Sequence, residues 1–362
     1  MTSPDLDAAA AAIDLAHHVV GRGVQQLAER GGPEVQQALA YDLAHAAAEV
    51  EMARSMLDYG AKGELEARLT CAFVAEALHD LESRLIGRQA VWGLDDDAPL
   101  AGARDFLATY RHPHFQAELA TTPGTRHLDP DFELVQDSFR AFADKEIAPV
   151  AEHVHRTNGD VPEGVIAGLA DMGAFGLSVP AEYGGWSEGG DSEYLGMVVA
   201  TEELSRGSLG VGGSLITRPE ILTRALVRGG TEEQKQEWLP KLATGEVMVA
   251  VAVTEPDYGS NVGGIKTMAT PAAGPDGEPG YAINGVKTWC TFGARADVLM
   301  LLARTDTDRS LTHRGLSLFV VSKPRGEGHG FEFAQDGGGR MEGRPIDTIG
   351  YRGMHSYEIA FD

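Results

Sequence analysis

Cysteine is nearly absent. The chain holds two, Cys71 and Cys290, so a disulfide framework and any CxxC zinc or redox site are excluded, and both thiols read as reduced, inert filler. Positive charge is scarce as well: 30 Lys and Arg stand against 54 Asp and Glu, a net charge of −24, and the basic residues are spread along the chain. A surface of that sign repels phosphate backbones and anionic lipid heads, which argues against nucleic acid and membrane as partners. No apolar run approaches the ~20 residues that cross a bilayer. The N-terminus MTSPDLDAAAAAIDLAHHVV carries acidic residues where a secretory signal carries basic ones, so a cytoplasmic protein is expected. Also missing are GxxxxGK[ST], HExxH, GxSxG and a GxGxxG between strand and helix, the local marks of P-loop, zincin, α/β-hydrolase and Rossmann chemistry. Any nucleotide cofactor must be held in another way. His17 and His18, like His153 and His155, project differently on a helix and read as solvent-facing, so no metal site is expected.

What the chain does have is ordinary globular material. Apolar residues make up 43% and charged residues 23% of 362, enough for a sizeable core, and the length suggests two or three domains at about 150 residues each. Between Pro33 and Gly60, placed where a helix starts and stops, Leu43, Val50 and Leu57 recur at heptad spacing with Ala46, Ala47 and Ala53 among them. A second helix over 64–90 carries Leu65, Leu69, Phe73, Leu81 and Leu85 on one side and leaves Glu66, Arg68, Asp80, Glu82 and Arg84 for solvent. The two would form an antiparallel pair. Polar stretches with Pro and Gly at 95–102 and 121–130 read as linkers, the second as a domain boundary. Phe132, Val135, Phe139 and Phe142 then mark an amphipathic helix, with further helical stretches at 162–173, 191–206, 216–228 and 231–243, the last opened by a capping-box pattern from Thr231 to Gln234. Glu202 and Glu203, beside Arg206, read as a solvated helix face. From Val247 the texture changes: VMVAVAVTE, GYAINGVKTWCT, DVLMLLART and LSLFVVS are short runs rich in β-branched and aromatic residues. Helices followed by strands, without alternation, give an α+β protein with segregated layers.

The chemistry concentrates in VAVTEPDYGSNVGG, residues 251–264, where a strand ends at Thr254 and Glu255, turns through Pro256 and Asp257, and presents Gly259, Ser260 and two further glycines. Hydroxyls and bare backbone N–H groups suit an anionic, planar or phosphorylated ligand, and a plain Gly-rich hairpin has the same local composition. KTWCT (287–291) ends another strand with an indole that can cover an aromatic ring or fill a core, and strand alternation puts the Thr291 hydroxyl on the Trp289 face. The pair of segments together favours a flat ligand.

In order along the chain, DMGAFGLSVPAEYGG (171–185), GTEEQKQEWLPKLATGE (230–246), AVTEPDYGSNVGG (252–264) and KTWCT (287–291) resemble the motifs of the acyl-CoA dehydrogenase family over residues 128–362. The resemblance implies an N-terminal helical domain at 128–246 and a β-barrel-like, flavin-binding middle domain at 247–362, preceded by an extra all-α domain at 1–120. It implies FAD as cofactor, with Val251, Ala252, Val253, Thr254, Gly259 and Ser260 along it, Thr254 bonded to the isoalloxazine, and Ser260 at the pyrophosphate and the substrate's pantetheine arm. Trp289, Cys290 and Thr291 would cover the ring, Thr291 near N5. Two positions depart from the family pattern: Tyr258 replaces a small residue and Asn261 an Asp, changes that bear on loop geometry.

The implied reaction is α,β-dehydrogenation of an acyl-CoA thioester, with electrons passed to an electron-transferring flavoprotein, in a homo-oligomer. The N-terminal helices and GRPIDTIGYRGMHSYEIAFD (343–362) resemble most the members that convert (2S)-methylsuccinyl-CoA to mesaconyl-CoA in the ethylmalonyl-CoA pathway. Arg295, Arg344 and Arg352 are candidates for its free carboxylate. The alternatives are another short or branched-chain dehydrogenase or an oxidase on this scaffold, or a non-catalytic flavin-binding or assembly subunit. The family's catalytic glutamate sits in a C-terminal helical domain, so the base is expected beyond Asp362, the sequence is expected to be a fragment, and these 362 residues alone are expected to bind FAD poorly and to be inactive.

Overall fold

Alanine is the strongest helix former, and the run at 8–12 opens helix α1 (Leu6–Glu29), where the Asp5 carboxylate accepts the Ala8 N–H at 2.8 Å. The computed structural model describes residues 2–95, 98–274, 277–326, 329–335 and 338–362, with backbone only at 191–193. They divide into two units, Met1–His127 and Leu128–Asp362. None of the described helices is long and apolar enough to cross a membrane.

The first unit is all helix. α1 packs with α2 (Gln37–Gly60) and α3 (Glu64–Leu85), and the short α4 (Arg104–Tyr110) and α5 (Pro113–Leu119) follow. Gly23 permits a close approach, because a methyl group there would lie 2.5 Å from Leu43 and 2.8 Å from Trp92. Three expectations change. α2 begins at Gln37 rather than at Pro33, after a turn. The buried stripe of α3 runs through Cys71, Val74, Leu78, Leu81 and Leu85, while Leu65, Leu69 and Phe73 are half-buried. Glu66 and Arg68 are buried instead of solvated. The chain after α4 covers that side of α3: Glu66 meets His127 Nε2 at 2.7 Å, and Arg68 pairs with Glu118 and lies 5.1 Å from the centre of the Phe115 ring.

The second unit begins with helices α6 (Pro130–Phe142), α7 (Ala148–Thr157), α8 (Glu163–Asp171), α9 (Asp191–Ser208), α10 (Thr217–Gly229) and α11 (Glu232–Ala243), interrupted by π-turns at 143–147 and 209–213. The capping box of α11 is present, with both Thr231 and Gln234 bonded reciprocally. Glu202 is exposed as expected, but Glu203 is 1% exposed and buried under α6. It accepts hydrogen bonds from Arg140 (2.7 and 3.2 Å), Gln136 (3.0 Å) and Arg206 (2.9 Å).

Among the described residues eight strands follow: β1 (Val249–Ala252), β2 (Met268–Ala273), β3 (Pro279–Thr291), β4 (Val298–Arg304), β5 (Leu316–Ser322), β6 (Phe331–Ala334), β7 (Arg340–Ile346) and β8 (Ser356–Phe361). Their order is β1-β4-β2-β3-β8-β7-β6, with β5 antiparallel to β4. β1 and β2 are parallel to β4, and the remaining pairs are antiparallel, which makes the sheet mixed. β3 serves both halves: residues 279–284 pair with β2, and 285–291 pair with β8. Gly285 marks the change, at φ 149°, where a methyl group would come within 2.6 Å of Thr267. One apolar core of the unit joins α6, α8 and α9 to β1, β4 and β8.

Candidate cofactor site at the ends of β1 and β3

The two segments singled out by sequence meet directly. Where β1 runs out, the Thr254 carbonyl accepts the Thr288 N–H of β3 at 2.8 Å. Lys287, fully buried, donates through Nζ to the Val253 carbonyl at 3.0 Å and to Glu255 Oε1 at 2.9 Å. Glu255 also accepts the backbone N–H groups of Lys266 (2.7 Å) and Thr267 (2.9 Å). One carboxylate therefore fastens both ends of the loop between 255 and 267. Burial pushes the Glu255 carboxyl up, yet the donors of Lys266, Lys287 and Thr267 outweigh it and hold the group below its usual range. Burial pushes Lys287 down against the pull of Glu255. These directions oppose each other on how firmly the pair is charged; the two backbone donors, which cannot leave, decide for a carboxylate facing an ammonium.

A second brace comes from Arg304 on β4. Its buried guanidinium donates to the Gly263 carbonyl at 2.7 Å and the Ile265 carbonyl at 3.3 Å. Gly264 accommodates the unusual Tyr258: a methyl group at 264 would lie 2.5 Å from the tyrosine ring. Lys266 Nζ stands 5.3 Å from the centre of the same ring. Held in this way, the loop presents Gly259, Ser260 and Asn261 to solvent.

β3 breaks its own alternation at the place that matters. Its register against β8 shifts between Lys287 and Cys290, and Trp289 (φ 58°) and Phe292 (φ 67°) both adopt left-handed backbone. Non-glycine residues bear a cost there, and such strain gathers at functional sites. The expected sharing of one face by Trp289 and Thr291 fails because of this bulge. Trp289 is 55% exposed, whereas Thr291 is buried with Oγ1 3.0 Å from Ser356 Oγ. Cys290 lies in the core, its thiol pushed up to about 12 by burial, so only its backbone can face a ligand. Of the other residues named from sequence, Ala252 is buried in β1, and Val251, Val253 and Thr254 are half-buried beside the Trp289 segment. Phe292, the next residue after Thr291, donates its N–H to the Met354 and His355 carbonyls at 3.0 and 2.9 Å.

Sequence reasoning missed Glu255, Lys287 and Arg304 as organisers. The available signal was a lysine inside a strand run, which needs an anion as partner only if its face of the strand is buried. The three arginines proposed for a carboxylate fare differently. Arg295 is taken by Glu163 and the Val161 carbonyl, and Arg344 by Glu342. Arg352 donates to the His155 carbonyl at 2.7 Å and keeps a buried Nε without a partner. A fourth, Arg218 at the start of α10, also has an orphaned buried Nε, and its Nη2 is 3.4 Å from the Tyr351 hydroxyl. Among the described residues neither Arg218 nor Arg352 is paired with a carboxylate.

Residues 129–246 match the acyl-CoA dehydrogenase N-terminal domain, and residues 250–362 match the acyl-CoA dehydrogenase middle domain. The (2S)-methylsuccinyl-CoA dehydrogenase of Cereibacter sphaeroides is 42% identical over 266 residues, 74% of this chain and 45% of that protein. Among solved structures, a glutaryl-coenzyme A dehydrogenase in complex with glutaryl-CoA aligns with a TM-score of 0.55 at 29% identity, covering 66% of this chain and 55% of that one. A glutaryl-CoA dehydrogenase from Mycobacterium smegmatis in complex with FADH2 aligns at 0.51 and 26% identity, over 65% of this chain and 53% of that one. The chain spans about half the length of the curated relatives it matches.

Proposed function

Because residues 129–362 of this chain belong to the acyl-CoA dehydrogenase family, as its N-terminal and middle domains, we propose that the protein binds FAD along Val251–Thr254, Gly259, Ser260 and Trp289–Thr291 and dehydrogenates an acyl-CoA thioester between Cα and Cβ. The observation that carries this reading is Trp289: a large indole held toward solvent on strained backbone, beside a loop of exposed backbone and hydroxyl that two buried cations brace from behind. A surface so flat and so costly to keep open suits a planar, phosphorylated cofactor. FAD, when bound, supplies the hydride acceptor. The chain's own part is to cover the ring with Trp289, to offer the backbone N–H and hydroxyl of Ser260 to phosphate and pantetheine, and to keep the Thr291 segment fixed through Ser356. No residue of the chain is assigned as the base.

(2S)-Methylsuccinyl-CoA, oxidised to mesaconyl-CoA, is the substrate of choice. It carries a free carboxylate, and Arg218 and Arg352 flank Tyr351 with buried donors that no carboxylate among the described residues satisfies. The 42% identity to a methylsuccinyl-CoA enzyme points the same way. Reoxidation by an electron-transferring flavoprotein and assembly as a homo-oligomer in the cytoplasm complete the proposal. The test is anaerobic bleaching of the flavin in the protein as expressed from its own gene, with (2S)-methylsuccinyl-CoA, butyryl-CoA and isobutyryl-CoA in parallel. Bleaching is expected with the first far ahead of the others, and Arg218→Gln should weaken that preference by about 10- to 100-fold while leaving butyryl-CoA alone, as expected for a lost charged hydrogen bond. Equal bleaching by all three would overturn the substrate, and reoxidation by oxygen at turnover rate would mark an oxidase.

A further inference from the structure

Three residues far apart in sequence converge beside the loop that caps β3. Asp160 follows α7, His329 precedes β6 and His355 precedes β8, and one ligand atom from each lies within 4.8 Å of the others. Asp160 is joined to Gly353 by an isolated β-bridge, which brings the two backbone segments together. His355 is 6% exposed, and its ring meets that of His329 edge to face at a centroid distance of 4.5 Å.

The hydrogen bonding of this cluster does not close. His355 Nε2 faces two oxygens, the Gly159 carbonyl at 3.0 Å and Asp160 Oδ1 at 3.4 Å. A single N–H serves only one of them, and Asp160 Oδ1 is buried with no hydrogen-bond partner. A buried carboxylate oxygen left unpaired against an imidazole is costly unless something positive sits between them. Backbone strain adds to the cost, since Asn158 (φ 54°) and His355 (φ 40°) are both left-handed non-glycine residues.

We propose that Asp160, His329 and His355 bind a divalent transition-metal ion of the zinc class. Two imidazoles and one carboxylate are a donor set that zinc and its neighbours favour. Ligand atoms 2.0–2.2 Å from one tetrahedral ion stand about 3.4 Å apart, and the His355 Nε2 to Asp160 Oδ1 separation is already 3.4 Å; binding at Nε2 uses the tautomer protonated at Nδ1 and replaces the hydrogen bond to the Gly159 carbonyl. His329 is exposed, and its ring already lies against that of His355, which brings the third ligand to the set. The site is structural in its consequence. It would lock residues 158–160 to 353–355, whose carbonyls hold Phe292 and whose neighbour Ser356 holds Thr291.

The probe is Zn²⁺ itself, titrated calorimetrically into the chelator-stripped whole chain, alongside His329→Ala, Asp160→Asn and a His153→Ala/His155→Ala control. One site per chain is expected, weakened by about tenfold or more in each of the first two variants and unchanged in the control. His329 is exposed, so its removal leaves the fold intact, which the circular dichroism spectrum checks. If His329→Ala binds Zn²⁺ as the unaltered chain does, or if the chain binds Zn²⁺ no more tightly than an unfolded histidine peptide, the uptake is adventitious and the proposal is overturned.

Discussion

Glu203 concentrates more interaction in one side chain than any residue of the loop between 255 and 267 does. Two guanidiniums and one amide donate to its two oxygens. Hydrogen bonding by Arg140 leads, then Arg206 and Gln136, against a burial that works the other way, and together they hold the carboxyl at about 2 rather than 4.5. A group whose folded pKa is depressed contributes stability above its unfolded pKa and loses it as protons arrive. The contribution of Glu203 is therefore whole above about pH 4.5 and fades as pH falls through about 2. Urea midpoints measured across that window should drop more steeply for the unaltered chain than for Glu203→Gln. At neutral pH the same substitution should cost about 3 kcal/mol, because it leaves two arginines facing a neutral amide. A variant with an unchanged midpoint at both pH values would show the network to be idle. Glu203 is also where sequence reading went astray, since an acid three residues before Arg206 looks like any solvated i, i+3 pair. Only the arrival of α6, through Gln136 and Arg140, turns that face inward.

At the scale of elements, what could be read from sequence depended on how local the determining forces were. α11 carries its own start signal, and β1, β3, β4 and β5 are dense in β-branched and apolar residues, so each was visible in isolation. β2 contains Pro271, which belongs in no interior strand; it is tolerated because β2 meets β4 at Met268 alone and leaves the proline on a free edge. β6, β7 and β8 draw their order from pairing with each other and with the second half of β3, and no short run in them says so. The candidate cofactor site divides along the same line. Its loop and its tryptophan were legible as residue types, while the bulge that turns Trp289 outward and the Lys287–Glu255 clasp are products of tertiary pairing. That clasp invites a test. Lys287→Met would strand the buried Glu255, at a cost of about 3–5 kcal/mol. Replacing Glu255 as well, in Lys287→Met/Glu255→Leu, should fail to restore the loop, since the N–H groups of Lys266 and Thr267 would lose their acceptor. Flavin titration and urea midpoints of both variants measure this, and full recovery in the double variant would mean that the carboxylate serves only the lysine.

For the whole molecule, the question is whether the extra helices are a domain in the thermodynamic sense. The apolar core of the first unit is drawn wholly from Ala9 to Phe115, and the cores of the second wholly from residues after 138. Each unit also holds its own buried polar network, Glu66 with His127 in one and Glu203 with Arg140 in the other. A unit that contains its own apolar core has what independent folding requires, and 127 residues is an ordinary domain length. Residues 1–127 expressed alone should therefore show a helical circular dichroism spectrum and a cooperative melt. Residues 128–362 alone should retain a mixed α and β spectrum and the acid sensitivity that Glu203 confers. Calorimetry of the full chain should then resolve into the two transitions measured on the parts. If either piece is unfolded in isolation, burial within each unit is not sufficient and the helices at 1–127 belong to the same cooperative unit as residues 128–362.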